Sequence, residues 1–402
     1  MKQDISTGCL VTVSQAELDR RIQTIRELLK ETGADLFLAA APVKNGWGKW
    51  LTGVDGPGRP CEGGILVGKT GDVLVVNGGA LVPRGAAGIK NDAMAPACAG
   101  EGFLGYSTFD GFSVDVMEQM SGKKEGKVVI AVANMAYLRA DLSRYLKENL
   151  PEIRFLDVDK EAASIRAQKS GEELGILEGN ARMLDKIFAG AGVYINPKRS
   201  ERDVATDLRY AAYRLGSGGM DHQISVPVEL TSDADGAKKD TAPLLYPGRF
   251  LEFGDRVNLK MYALGNDGYY AGMARSFVLG APCGQTKKLW EMAVQAQDLA
   301  VNMLRPGASV HEIADKVRAF LAENGCQEDK GMMIHSIGAS IQEKPHIFDE
   351  NDLPVAENMV FYVGPTADDG ETNPVSCGDV YVVEKEQTRR LTTFPRTLIS
   401  LY

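Results

Sequence analysis

FGDRVNLKMYALGNDGYYAGMARSF, residues 253–277, contains two runs that read as strands, Arg256–Ala263 and a second from Tyr269 on to Leu279. Helices flank the pair on both sides. Glu161–Gly192 reads as mostly helical, with Ile176, Leu177, Met183, Leu184 and Ile187 as its apolar stripe. A second helix starts near Ser200–Asp203 and runs to Leu215, and a strand follows at Gln223–Glu229. Beyond the pair, Lys287–Leu304 and Val310–Asn324 read as two more helices split by Arg305, Pro306 and Gly307, and the remainder reads as strands and loops. A helix pair followed by strands thus occurs twice, which points to an internal α+β duplication.

The first part of the chain has a different rhythm. Ser14 and Glu17 form a capping-box pattern ahead of Leu18, Ile22, Ile25, Leu28 and Leu29 at helical spacing, and Gly33 stops that helix. Asp35–Ala41, Gly63–Val67, Asp72–Asn77 and Val128–Ala133 read as strands, followed by a helix over 136–148 and a strand near Ile153–Val158. Alternation of strands and helices predicts an α/β domain over 1–160 and an α+β domain over 161–402. The length of 402 residues accommodates two domains comfortably.

Composition narrows the function. With 45 basic and 54 acidic side chains the net charge is −9, which argues against a nucleic-acid groove or an anionic membrane as partner. No apolar run approaches the roughly 18 residues a membrane span needs, and the N-terminal stretch lacks a signal-peptide core. Cysteines 9, 61, 98, 283, 326 and 377 are scattered, so neither a disulfide framework nor a structural zinc site is expected, and a cytoplasmic location is. Glycine is in excess, 44 of 402 residues or about 11% against a usual 7% or so, which predicts many tight turns or close backbone approaches.

Familiar motifs mostly fail. No G-x-G-x-x-G joins a strand to a helix, and Ser121–Lys127 lacks the spacing of a phosphate loop. Gly216–Gly219 lacks the strand–turn–helix setting of a nucleophile elbow. His222 and His311 read as ordinary surface or satisfied residues.

Five stretches in the second half, in order, resemble the creatinase/prolidase/aminopeptidase P family. Lys169–Ala181 (KSGEELGILEGNA) is similar to its first helix and Leu304–Ala314 (LRPGASVHEIA) to its PG-x-[ST]-x-x-E/D-[IV]-A segment. Phe253–Phe277 is similar to GD-x-V-L-[IL]-D-x-G…GY-x-x-D-x-T-R-T-F. Ile334–Pro345 (IHSIGASIQEKP) is similar to G-H-G-x-G-x-x-x-H-E-x-P, and Leu353–Pro365 (LPVAENMVFYVGP) to L-x-x-G-M-V-[FV]-[ST]-x-E-P. In the first half Lys49–Gly53 (KWLTG) matches the family's YLTG strand end. The resemblance implies a creatinase-type α/β N-terminal domain and a C-terminal pita-bread domain, with pseudo-duplicated helices over a curved antiparallel sheet.

The departures bear on chemistry. The family's metallopeptidases hold two divalent ions with two Asp, one His and two Glu, because bridging carboxylates suit hard cations and activate a water between them. Alignment by motif puts Lys260 at the first Asp, Gly272 at the second, Gly364 at the first Glu and Gly378 at the second; only His335 is kept. A di-metal peptidase is therefore not expected, and neither is any other cofactor. These glycines are erased side chains that are expected to leave room in the pocket. The family's metal-free member, creatinase, has a G-H-S-x-G matched by His335–Ser336 and a G-R step, reaching into the partner's site, matched by Gly58–Arg59. Its catalytic histidine falls at Lys238, and its guanidinium-holding glutamates at Ala274 and Gly364, so creatine is not expected as substrate.

What the resemblance leaves in the pocket is His335, Lys260 and Glu343 as catalytic candidates, with Arg59, Tyr270, Arg275 and His346 as substrate-binding candidates. This cationic set suits a ligand that carries a carboxylate. Lys260 can act as base or nucleophile if desolvated, or simply ion-pair with an acid such as Glu343. His335 can act as acid or base near neutral pH. One of Tyr269 and Tyr270 faces the core and the other a cleft, by strand alternation. The expectation is a metal-independent hydrolase, or an enzyme of elimination, acting on a small amino-acid-like substrate. It is expected to be a homodimer in which Arg59 crosses the interface. The alternative is a non-catalytic binding protein, for which an aromatic content of 7% and the lack of charged tails offer little support as a protein-docking module.

Overall fold

The computed structural model describes residues 13–40, 46–52, 64–70, 73–77, 80–83, 114–123, 127–217, 228–235, 249–265, 268–327, 331–349, 353–372 and 374–402. The chain divides into two compact units, Met1–Arg166 and Ala167–Tyr402. No helix among the described residues is long and apolar enough to cross a membrane.

In the first unit, α1 (Gln15–Thr32) starts where Ser14 Oγ accepts the Glu17 N–H at 3.1 Å, and it ends at Gly33 with φ 71°, in the left-handed region that suits glycine. Only half of the expected capping box forms. The Glu17 carboxylate turns instead to Arg20 at 2.8 Å and to the buried Arg21 at 2.7 Å. Then come β1 (Leu36–Ala40), α2 (Trp47–Thr52), β2 (Gly64–Gly68), β3 (Val73–Asn77), β4 (Ala80–Pro83), α3 (Val114–Ser121), β5 (Val129–Ala133), α4 (Ala140–Asn149), β6 (Arg154–Asp157) and α5 (Asp159–Ala167). The strands form one sheet in the order β4-β3-β2-β1-β5-β6, antiparallel from β4 to β1 and parallel from β1 to β6. β1 is covered on both faces, which is why it reads as an unbroken apolar run. Ile25, Leu29, Phe37 and Trp50 pack on one side of the sheet, and Leu38, Met117, Val132 and Leu146 on the other. Ala162 of α5 packs in the first of these clusters, so the division between the units follows α5 rather than residue 160.

In the second unit, α6 (Gly171–Tyr194) and α7 (Glu201–Arg214) both open on complete capping boxes, Ser170 with Glu173 and Ser200 with Asp203. The single helix expected over 161–192 is therefore two, because Ser170 starts a new one. β7 (Val228–Ala234), β8 (Asp255–Leu264) and β9 (Tyr270–Leu279) follow, then α8 (Gly284–Met303) and α9 (Val310–Glu323). The rest is β10 (Ile334–Ser336), β11 (Glu343–His346), β12 (Val360–Val363), β13 (Thr366–Ala367), β14 (Val375–Ser376), β15 (Asp379–Val383), β16 (Thr388–Arg390) and β17 (Ile399–Leu401). The strand expected at 223–229 falls mostly outside the described residues; β7 starts at Val228.

β17-β9-β8-β7 form one sheet and β11-β10-β12-β15-β16 another, with β13-β14 as a separate pair. Helices α6 and α7 lie against β7–β9, and α8 and α9 against β10–β14, so the expected duplication of helix pair plus sheet is present. Ala274 on β9 and Gly378 ahead of β15 exchange backbone hydrogen bonds of 3.0 and 3.1 Å, stitching the two sheets together. One core runs through both, from Leu184 and Phe188 on α6 through Leu259, Met261 and Phe277 to Val360 and Val380. This is the pita-bread architecture that the motifs implied.

Candidate active site

The stitch at Ala274 and Gly378 fixes which side chains converge. On β8, Lys260 and Tyr262 are two residues apart and share a face. Their cross-strand partners on β9 are Ala274 and Gly272. From the other sheet come His335 on β10, Tyr362 opposite it on β12, and His346 opposite it on β11.

Three rings meet at the centre. His335 stacks on Tyr362 with centroids 5.2 Å apart and planes at 26°, and Tyr262 lies 5.3 Å from Tyr362. Tyr262 Oη is 3.1 Å from His335 Nε2, and His335 Nδ1 is 3.0 Å from the Ser336 carbonyl oxygen. A carbonyl only accepts, so Nδ1 carries the proton and Nε2 accepts from the Tyr262 hydroxyl. The Lys260 ammonium lies 5.5 Å from the Tyr262 ring centroid and 5.9 Å from that of Tyr362, a cation–π arrangement.

The glycines have a different purpose from the one expected. A Cβ on Gly272 would stand 2.7 Å from Tyr262 Cε1 and 2.9 Å from Tyr362 Cδ2. On Gly364 or on Gly378 it would stand 2.6 Å from Tyr362 Cζ. Real side chains do not approach this closely, so the absent Cβ atoms make space for Tyr362 and leave none for a ligand. The expected open pocket at these positions is corrected to a packed one.

His335 is completely buried, and desolvation in this apolar packing pushes its pKa down to about 4, with the nearby Lys260 acting in the same direction. It is neutral at pH 7. Between the ordinary value of 6.5 and about 4, the unfolded chain binds a proton that the native chain refuses. Stability therefore falls as pH drops through that window, by up to about 3 kcal/mol. In urea unfolding at pH 5 and pH 7, His335→Gln should lose less stability on acidification than the wild type; an equal loss would contradict a buried neutral histidine.

Other candidates lie elsewhere. Glu343 pairs with Lys169: its Oε2 is 2.6 Å from Lys169 Nζ, both side chains being buried, and its Oε1 accepts the Ser340 N–H at 3.2 Å. Lys169 sits just ahead of α6, so this ion pair ties the α6 entrance to β11. Arg275, expected to bind substrate, is instead enclosed: it donates to Asp379 Oδ1 at 2.7 Å and to the carbonyls of Ala274, Gly378, Phe394 and Pro395. Of the two neighbouring tyrosines, Tyr269 is the core residue, its hydroxyl donating to Glu173 at 2.7 Å, and Tyr270 is half-buried. His346 is half-buried with its pKa lowered, first by desolvation. Arg59 lies outside the described residues.

Residues 177–386, just over half of the chain, match the model of metallopeptidase family M24. The chain belongs to this family. The M24 chain is 27% identical over 254 residues to the Xaa-Pro dipeptidase of Pyrococcus horikoshii, covering 63% of this chain and 70% of the relative. Among solved structures, dipeptidase PepE from Mycobacterium ulcerans superposes with a TM-score of 0.74 at 20% identity, covering 97% of this chain and 99% of that one. The N-terminal domain of FACT complex subunit SPT16 from chickpea superposes with a TM-score of 0.68 at 14% identity, covering 97% and 100%. At these identities the superpositions establish the fold.

A metallopeptidase implies a metal, and the residues at the corresponding positions do not fit one. Lys260 brings a positive charge, three positions are glycines without a donor atom, and the Tyr362 ring takes up the space. Among the described residues no group of three or more His, Cys, Asp or Glu side chains could hold an ion. Three residues important here were not singled out by sequence reasoning: Lys169, Tyr262 and Tyr362. For the tyrosines the signal was present. Tyr262 stands where the aligned motif has glycine, and Tyr362 where it has Ser or Thr, so bulk is exchanged between two small positions and three large ones.

Proposed function

We propose that this M24 protein is a hydrolase that opens a C–N bond in a small, carboxylate-bearing, amino-acid-like amide without a metal at the family's ion positions. Membership of a peptidase family supports the bond class, and similarity to a protein named as an Xaa-Pro dipeptidase supports a small substrate with a free carboxylate. The observation that carries the metal-free part is the Tyr362 ring packed against Gly272, Gly364 and Gly378. Lys260 is the cation proposed to stabilise the oxyanion formed when water adds to the amide. Tyr270 and His346, both half-buried, are proposed to line the substrate, with Arg59 contributed by the second copy of a homodimer.

The test uses chelator-treated full-length protein, elemental analysis, and a panel of Xaa-Pro dipeptides, N-acyl amino acids and N-carbamoyl amino acids. Hydrolysis of one class should survive chelation and fall at least about 100-fold in Lys260→Ala, the scale of losing one oxyanion-stabilising group. Activity that appears only with added manganese or cobalt, at tight stoichiometry, would sink the reading. A second reading, a ligand-binding protein without turnover, is favoured by one feature: His335 has no exposed surface. Saturable binding of a panel compound that is never cleaved would establish it.

A further inference from the structure

We infer that the outward face of α7 is a docking surface for another protein, and that its occupant is an acidic amphipathic helix. Neither turnover nor its absence at the ring cluster bears on this surface.

On its inner side α7 buries Glu201, Val204, Ala205, Leu208 and Ala212. The opposite side carries Arg202, Thr206, Tyr210, Tyr213 and Arg214, all exposed. Tyr210 is 60% and Tyr213 39% exposed, and Leu215 at the C-cap is 45% exposed. At the other end Phe250, 61% exposed, forms a backbone bridge with the N-cap residue Ser200. Large apolar side chains in this number on one helix face mark a contact surface rather than a solvated one. The charged residues agree. α7 has three Arg and no Lys, and its one Glu is buried. Arg and Tyr are enriched at protein interfaces, where Lys and Glu are depleted, because a planar guanidinium and a phenol ring lose little freedom for the area they bury. The Arg214 guanidinium already lies 6.0 Å from the Tyr210 ring centroid, so cation and ring are held together before a partner arrives.

Charge selects the occupant. The anions of this face are committed: Asp203 accepts the Ser200 N–H at 3.4 Å, and Asp207 meets Arg199 at 2.6 Å. Among the described residues, no carboxylate is in ion-pair contact with Arg202 or Arg214. Two copies of the chain meeting through this face across a twofold axis would set these cations against each other. A nucleic acid would meet Asp203 and Asp207 on the same face, and the net charge of −9 on the chain would repel it. An acidic helix meets neither obstacle. Arg202 and Arg214 stand about 18 Å apart along the axis at roughly 1.5 Å of rise per residue, a little over three turns. Carboxylates at that spacing on a partner helix reach both guanidinium groups, while the apolar side chains between them lie on Tyr210 and Tyr213.

The test titrates full-length protein into a fluorescently labelled, capped peptide made of three repeats of Glu-Ala-Leu-Glu-Ala-Leu-Ala, followed by anisotropy. Binding should be saturable and should weaken as salt rises. The same peptide with Lys in place of every Glu should not bind. Arg202→Glu combined with Arg214→Glu should weaken binding at least about tenfold, and so should Tyr210→Ala combined with Tyr213→Ala, the scale of losing interface anchors. Both double variants should melt like the wild type, because all four side chains are exposed. No saturable binding of the acidic peptide, or unchanged affinity in the arginine double variant, would overturn the inference. So would a single-stranded oligonucleotide that binds more tightly than the peptide and is lost in that variant. A wild-type dimer in sedimentation that the arginine double variant splits would assign the face to a second copy instead, and would overturn it too.

Discussion

Gly364→Ala should destabilise the second unit by about 2–3 kcal/mol, the upper range for forcing extra atoms into a filled core. The new methyl would sit 2.6 Å from Tyr362 Cζ and 2.7 Å from Cε1. Tyr362 cannot step aside, because it is 1% exposed and held between the rings of His335 and Tyr262. Tyr362→Ala alone should cost more, about 3–5 kcal/mol, because it leaves a hole the size of a phenol. The informative variant is the pair. In Gly364→Ala with Tyr362→Ala the new methyl finds space, so the double change should be less damaging than the sum by more than about 1 kcal/mol. Urea unfolding of the four proteins measures this directly, and strict additivity would mean that Gly364 is not there to admit Tyr362. The same coupling makes the family's carboxylate unreachable by one substitution: Gly364→Glu puts a larger, charged group against the same ring, and is tolerated only once Tyr362 has been made small.

Arg275→Met should be comparably damaging, about 3–5 kcal/mol, for an electrostatic reason. Arg275 and Asp379 are both 0% exposed at the side chain, and their charges answer each other inside the protein. Removing the cation leaves a buried carboxylate whose close remaining partners, Thr392 Oγ1 at 2.7 Å and Gln297 Nε2 at 3.1 Å, are neutral donors, with the Arg390 guanidinium farther off at 3.9 Å. The guanidinium also gathers carbonyls from Ala274 and Gly378, the two residues that stitch the sheets, and from Phe394 and Pro395 near the chain end. A ligand-binding arginine would behave differently, with stability kept and affinity lost. Chemical denaturation and probe titration of the variant therefore separate the two roles, and a stable protein with impaired binding would restore the original expectation for this residue.

Much of this molecule is local in origin and legible along the chain. Ser14 and Ser200 announce helix starts because an N-cap and its partner are three residues apart, and β8 and β9 appear at their expected places because alternation needs no distant information. The departures from the family's ligand motifs were likewise readable, since Lys260, Gly272, Gly364 and Gly378 can be named by motif alone. What the chain by itself left open was every question of partners. Glu343 meets Lys169 from 174 residues away, and Arg275 meets Asp379 from 104 away, pairings that no short-range pattern encodes. The space of the vanished carboxylates was the largest of these questions. Sequence alone suggested an emptied pocket; tertiary structure filled it, because interiors pack densely and Tyr262 and Tyr362, two residues on separate strands, bring volume against the three glycines. Composition along a chain records which side chains are missing, and only the folded arrangement determines what occupies their place.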